Sequence, residues 1–460
     1  MSYDVGRTNA IRRAYAGHIK SFVERYNRGR KTVVLLPGGM GSQLDFSPRP
    51  YDGVPMSFAD YETSWMDIGV VFDRDALKLE IDDQGRDKDG HIVVPNGPLR
   101  FLVVAYDGTA RYFQERDYNY IVFGYDWRRP VEECAGFLED FLAQLRKSVF
   151  NKHHENPLPM TTLLCHSQGG LVAKLFLHRI FSASDWFDKV ITVGTPFYGT
   201  WGHQRRFFIG QQPLNILYGA RRIAKVAATL PGPYTLMFID RRTFDADHER
   251  LGLSPGAYPV TDPDSGAAMD PYDAANLDRY PQWVNRDHLE MARRIRQTIA
   301  LPLPDTIRER FYNIRTLKDK NTPVSLHWKA LPPGFDPDQG DESPVKPDKK
   351  GGGDGTVPGW AAWHAHSAAA HRVELKKASD HSKLMEHLEV LENVRFIVEK
   401  DVKPTKALGK DQMVVETDTG ATGHRVRRFF HDVAKNRATR EDARGYERSI
   451  WQTIYKEMLQ

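Results

Sequence analysis

Two rhythms of apolar residues alternate along this chain. Short unbroken runs, "KTVVLLPGG" (31–39), "YNYIVFGYDW" (118–127), "MTTLLCHS" (160–167) and "DKVITVGTP" (188–196), each read as a buried strand. "RFYNIRTL" (310–317) and "HRVELKKASD" (371–380) are weaker runs of the same kind. Between them the spacing becomes helical. Phe137, Leu138, Phe141, Leu142 and Leu145 share one helix face, and "GGLVAKLFLHRIF" follows the third strand directly. Strands alternating with helices predict an α/β fold with a mainly parallel central sheet flanked by helices.

Two segments interrupt the alternation. Residues 201–302 are rich in turns and short helical patterns and read as an inserted cap. Residues 332–353, "PPGFDPDQGDESPVKPDKKGG", are rich in Pro, Asp and Gly and read as a mobile loop. The tail places Ile450, Trp451, Ile454, Tyr455, Met458 and Leu459 on one helical stripe, a core or docking surface rather than a membrane anchor. The expected organisation is an N-terminal helical segment (1–30), a core in two parts (31–200 and 303–400), the cap between them, and a C-terminal helical extension (401–460).

Composition narrows the class. A chain of 460 residues that is 40% hydrophobic can build a large core. Lys+Arg 64 against Asp+Glu 60 leaves a net charge of +4, which gives no case for nucleic acid or an anionic membrane as partner. Two cysteines, Cys134 and Cys165, exclude a disulfide framework and suggest a reducing compartment. Without a signal-peptide pattern or an apolar run of membrane-spanning length, the expectation is a cytoplasmic protein.

The chemistry is expected where the third strand turns into its helix, at "CHSQGG". A Ser between strand and helix, with small residues around it, matches G-x-S-x-G with Cys165 in place of the first Gly. Ser167 is the candidate nucleophile; the competing reading is a Ser that merely caps the helix. A hydroxyl needs a base, and the base needs an orienting carboxylate. In chain order these are Asp354 in "GGGDGTVP" and His381 in "KKASDHSKL". His166 is adjacent to Ser167 and should point away from it; His387 sits too far into the following helix. For the oxyanion hole the candidates are the N–H groups of Gln168 and of Met40 (or Gly39) in "LLPGGMGSQL". "GGGDG" lacks the Lys-Ser/Thr of a phosphate loop, "DPDQGDE" lacks calcium-loop spacing, and His153-His154 and His364 with His366 form no zinc motif. No metal and no cofactor is expected.

"LLPGGMGSQL", "SWMDIG", "FGYDWRRP", "LCHSQGGLV", "VGTPFYGT", "LPGPYTLMF", "GDGTVP" and "ASDHSKL" together resemble the lecithin:cholesterol acyltransferase-like α/β-hydrolases over residues 31–400. The resemblance implies an α/β-hydrolase fold, the triad Ser167, Asp354 and His381, and Asp126 with Arg128 as a structural pair. Secreted members carry a disulfide-pinned lid, and this chain has no Cys near 44–75. The mean hydropathy of −0.54 is low for a lipid-surface enzyme.

The expected function is a serine esterase or lipase acting on an acyl-ester or phospholipid-like substrate, with peripheral lipid contact at most. The rival readings are an acyltransferase to an alcohol and a non-catalytic binding protein of hydrolase fold. Gly39, Phe197, Tyr198 and Leu236 are expected to bind substrate. Apolar groups of the cap, Phe207, Phe208, Leu214 and Ile216 among them, would line an acyl channel, with Arg205, Arg206, Arg221 and Arg222 at its mouth to meet an anionic head group.

Overall fold

All six apolar runs form strands of one sheet: β1 (Thr32–Leu36), β2 (Asn119–Val122), β3 (Thr161–His166), β4 (Lys189–Val193), β5 (Phe311–Thr316) and β6 (Arg372–Leu375). Their order across the sheet is β6-β5-β4-β3-β1-β2, and every pairing is parallel. The structure, a computed structural model, describes residues 3–65, 78–99, 106–180, 185–211, 214–400 and Lys435. The predicted C-terminal helical extension and its apolar stripe lie outside the described residues.

Helices cover this sheet, as parallel strands require. The longer helices of the chain are α1 (Tyr3–Arg25), α2 (Asp107–Gln114), α3 (Val131–His153), α4 (Gln168–Arg179) and α8 (Leu388–Lys400), with α5 (Gly202–Ile209), α6 (Ala220–Thr229) and α7 (Arg286–Ala300) in the segment 201–302. Their ends follow local chemistry. Glu132 and Glu133 open α3 and Lys152 closes it, each matching the helix dipole, and His154 ends it in the left-handed conformation. The Asn285 side chain caps α7 by accepting from the N–H groups of Asp287 and His288. In α4, Leu171, Val172, Leu175 and Phe176 are buried. Each such side chain stabilises the fold by about 1.5–3 kcal/mol.

The N-terminal helix is tied to the core by charge. Arg128 is fully buried and grips both oxygens of Asp126, at 2.9 and 2.7 Å, and Asp87 at 2.7 Å. Arg129 reaches Asp87 at 2.6 Å, and Arg7 of α1 reaches Glu133 at 2.5 Å and Asp126 at 3.6 Å. Burial pushes the Asp87 carboxyl up, but Arg129, Arg128 and Arg7 together outweigh it and hold it well below the usual carboxylate range.

Two excursions leave the sheet. Residues 201–302 hold several helices, among them α5, α6 and α7, and α5 packs on α6. The segment 332–353 is not the loose loop its composition suggests. Val345–Pro347 pairs antiparallel with Leu326–Trp328, and Lys350–Gly353 pairs antiparallel with Asp319–Pro323. Its glycines serve close approach: a Cβ at Gly353 would lie 2.5 Å from the Val357 carbonyl oxygen.

Candidate active site

Ser167 stands at the turn between β3 and α4 with φ 51° and ψ −123°. A positive φ is costly for a side-chain-bearing residue. Packing holds it there. The Ser167 N–H donates to Val193 O of β4 at 3.0 Å. A Cβ at Gly169 would lie 2.5 Å from the carbonyl oxygens of Leu36 and Pro37, and one at Gly170 would lie 2.0 Å from Thr195 Oγ1. Only glycine lets α4 start so close to the end of β1. Cys165, in the place of the motif's first Gly, is wholly buried within β3.

Asp354 and His381 meet Ser167 there. His381 Nε2 lies 3.0 Å from Ser167 Oγ, and His381 Nδ1 lies 2.7 Å from Asp354 Oδ2. Asp354 Oδ1 accepts from the N–H groups of Thr356 at 3.0 Å and Val357 at 2.7 Å. The His381 N–H donates to Asp354 O at 2.8 Å. All three residues are buried, Ser167 being 6% exposed. An ionised carboxylate only accepts, so Nδ1 carries the proton and Nε2 is free to take one from Ser167. Asp354 follows the accessory strand Lys350–Gly353 rather than a strand of the central sheet, a placement the sequence did not reveal. Gly194, at the end of β4, leaves the room: a Cβ there would meet Leu384, Asp354 Oδ2 and His381 Nδ1.

The loop after β1 lies beside the Ser. Met40 adopts φ 62°, and its carbonyl accepts from Trp65 Nε1 at 3.1 Å. A Cβ at Gly39 would lie 2.9 Å from Gln168 Oε1. His166 does not simply point away. Its ring lies 4.9 Å from that of His381, its Nε2 donates to His381 O at 3.2 Å, and its Nδ1 accepts from Tyr106 Oη at 2.9 Å. Tyr106 Oη in turn accepts from the Gly38 N–H at 2.8 Å. The loop after β1 and His166 are thus joined through Tyr106, which no local sequence pattern marks.

The structure places three of the expected substrate contacts among buried partners. Phe197 packs edge-on to Phe311 and His364, and it is core. Tyr198 is wholly buried and donates to Asp247 Oδ2 at 2.6 Å. Leu236 is buried, and its backbone bonds Thr200. None of the three lines the cavity beside the Ser loop. That cavity, about 70 Å³, is walled by Met40, Trp127, Phe207, Leu214, Ile223 and Leu230, with His203 and Arg206 also on its surface. Gln211 joins its wall to that of an open groove of about 810 Å³, which Arg205 also lines.

Of the four arginines, Arg206 is the one on the cavity wall. It donates through Nη1 to His203 Nε2 at 2.9 Å, while its Nε and Nη2 are shielded from solvent without a partner among the described residues. Burial, then Arg205, lowers its pKa. Burial, then Arg206 and His381, pushes His203 well below the usual imidazole range. Arg221 is paired with Asp336 at 2.7 Å, and Arg222 stacks over Tyr218.

Three of the histidines set aside as metal ligands have structural partners. His153 bonds Val23 O, His364 bonds Ile299 O and His366 lies 3.2 Å from Asp247. Among the described residues, no group of three or more His, Cys, Asp or Glu is placed to hold a metal ion. Nor, among them, is any helix long and apolar enough to cross a membrane. Their exposed large apolar side chains, Val5, Val54, Phe150 and Leu301, lie on separate elements.

No curated protein sequence is significantly similar to the chain. Among solved structures, a chain in the crystal structure of the Tle4–Tli4 complex superposes with a TM-score of 0.52 at 16% identity, over 80% of this chain and 96% of that one. The Vlm2 thioesterase domain aligns at a TM-score of 0.26 and 13% identity, over 82% of this chain and 97% of that one, too loosely to carry an argument. The family model for lecithin:cholesterol acyltransferase matches residues 111–229, a span that includes Ser167 and its turn but ends before Asp354 and His381. The fold is that of an α/β-hydrolase, and within it residues 111–229 are similar to the lecithin:cholesterol acyltransferase family.

Proposed function

We propose that the protein is a serine acyl-ester hydrolase or acyltransferase working through an acyl-Ser167 intermediate. The observation that carries this reading is the unbroken chain Ser167 Oγ–His381–Asp354, at 3.0 and 2.7 Å. Ser167 Oγ attacks the ester carbonyl as its proton passes to His381 Nε2. The oxyanion is held by the N–H groups of Gln168 and Met40. Collapse breaks the bond to the leaving alkoxide, which takes the proton from Nε2. Water or an alcohol then attacks the acyl carbon and gives its proton to Nε2, and Ser167 recovers its hydrogen. Asp354 keeps Nδ1 protonated and stabilises the imidazolium. The match to an acyltransferase family model is what favours an alcohol as acceptor.

The substrate of this reading is lipid-like. The apolar wall around Met40 takes the acyl chain, and Arg206, with two unpartnered nitrogens, meets an anionic group. Placement in the cytoplasm is part of the same reading, supported by two buried free thiols, Cys134 and Cys165. The domain limits expected from the sequence, with 201–302 as a cap over the site, belong to it as well.

The test is a series of p-nitrophenyl esters, kept below their aggregation limit, with wild type and Ser167→Ala. Ser167→Ala should lose about 10⁴-fold or more in kcat. In the wild type, kcat/KM should rise about fourfold per methylene over the first few carbons, from about 0.8 kcal/mol of burial each. Retained activity in Ser167→Ala would overturn the nucleophile, and a flat series from acetate upward would overturn the lipid-like substrate.

A further inference from the structure

The acyl-transfer scheme uses only the backbone N–H of Gln168; its side chain is left over. That side chain is 1% exposed, and both its Nε2 and its Oε1 are buried with no partner among the described residues. It lies along the oxyanion loop: a Cβ at Gly39 would stand 2.9 Å from Gln168 Oε1. Burying an unmatched donor and acceptor destabilises a fold. A Met or Leu would fill the same space without that loss, so packing alone does not account for a carboxamide. Unmatched buried groups of this kind are a mark of sites kept for function.

The chemistry of the missing partner follows from the carboxamide itself. It offers an NH₂ donor group and a carbonyl acceptor side by side. An oxyanion or a carboxylate would satisfy only the donor, and an ammonium only the acceptor. A hydroxyl satisfies both. Its position follows from the neighbours. The carboxamide rests on Gly39, next to Met40, and hangs from the residue whose own N–H is the other oxyanion donor. The hydroxyl therefore belongs close to the scissile carbonyl.

We propose that Gln168 is a specificity residue that binds a hydroxyl group of the ester substrate near the scissile carbonyl. The substrate class is then a partly acylated polyol, or an ester of a hydroxy acid. This rests on Ser167 being the acylated residue.

Two matched pairs test it and separate the two sources of the hydroxyl: glycerol monobutyrate against propyl butyrate, and p-nitrophenyl 3-hydroxybutyrate against p-nitrophenyl butyrate. Wild type should favour the hydroxylated member of one pair by about tenfold to a hundredfold in kcat/KM, because its analogue leaves the carboxamide unmatched. Gln168→Met and Gln168→Leu should bring that ratio close to one. Both should also melt about 1–2 °C higher than wild type, since a buried unmatched amide has been removed. A fluorophosphonate probe, with the labelled residue mapped, reports on Ser167 separately. If Ser167 is labelled but wild type shows no preference in either pair, or the preference survives in both variants, the hydroxyl site is wrong and the acyl-serine reading stands. Variants that melt lower, or fail to fold, would make the carboxamide a structural group and overturn the proposal. If Ser167 of the wild type is not labelled, both fall together.

Discussion

Replacing Asp354 by Asn changes few atoms, and its effect can be worked out bond by bond. Asp354 Oδ1 accepts two backbone N–H groups, from Thr356 at 3.0 Å and Val357 at 2.7 Å, while Oδ2 faces His381 Nδ1 at 2.7 Å. An Asn at this position must keep its oxygen where the two N–H groups converge. The reverse orientation would set NH₂ against both donors and lose two hydrogen bonds, each worth about 0.5–1.5 kcal/mol, besides leaving buried groups unmatched. The Asn NH₂ therefore faces Nδ1 and makes that nitrogen the acceptor. The proton moves to Nε2, which then donates to Ser167 Oγ instead of accepting from it. The geometry survives and the base is lost. The expected cost is about 10⁴ in kcat, or about 5.4 kcal/mol of barrier. The assay is p-nitrophenyl ester turnover, with fluorophosphonate labelling slowed to a similar degree and a melting temperature close to wild type. An Asp354→Asn enzyme that keeps more than about a tenth of its kcat would refute the assigned tautomer and with it the role of Asp354.

Two further substitutions probe the frame. Gly169→Ala places a Cβ 2.5 Å from two backbone carbonyl oxygens, of Leu36 and Pro37, which no rotamer change can relieve. It should cost about 3 kcal/mol of stability and lower kcat by shifting the oxyanion loop; a melting temperature equal to wild type would contradict this packing. Glu386 lies on the turn that begins with His381, and burial pushes its carboxyl up to about 8 from 4.5. Because the folded value is the higher one, its contribution to stability is full below pH 4.5 and lost as pH rises through about 8. Glu386→Gln should match wild type near pH 4.5 and be more stable than wild type above about 8 by thermal melting; an equal difference at both pH values would show that Glu386 is not held protonated.

The parts of this fold that repeat a strong local signal were legible in the sequence. Six apolar runs became six parallel strands, and the Ser turn, the carboxylate and the imidazole came together in the expected chain order. What failed to show were features set by partners distant in the chain. Phe197 and Tyr198 look like channel walls in sequence because they follow a strand end, but Phe311, His364 and Asp247 enclose them. The segment 332–353 has the composition of a loop, yet its glycines let short strands lie against Leu317, Thr322 and Val324. Tyr106 and His203 carry no motif, and their link to the site exists only once β1, β3 and α5 are assembled.

The positive φ of Ser167 sets function against stability at a single codon. Glycine would occupy that backbone conformation with less strain, and it would remove the hydroxyl. A lineage selected only to stay folded would therefore drift toward Gly at residue 167, because nothing in the packing of the turn calls for an Oγ. A serine in so unfavourable a conformation is what the proposed acyl-Ser167 chemistry would require. The same logic sets a trap for engineering: a library of this protein screened for heat resistance alone will enrich variants with a sound fold and without the Ser167 hydroxyl on which the proposed chemistry depends.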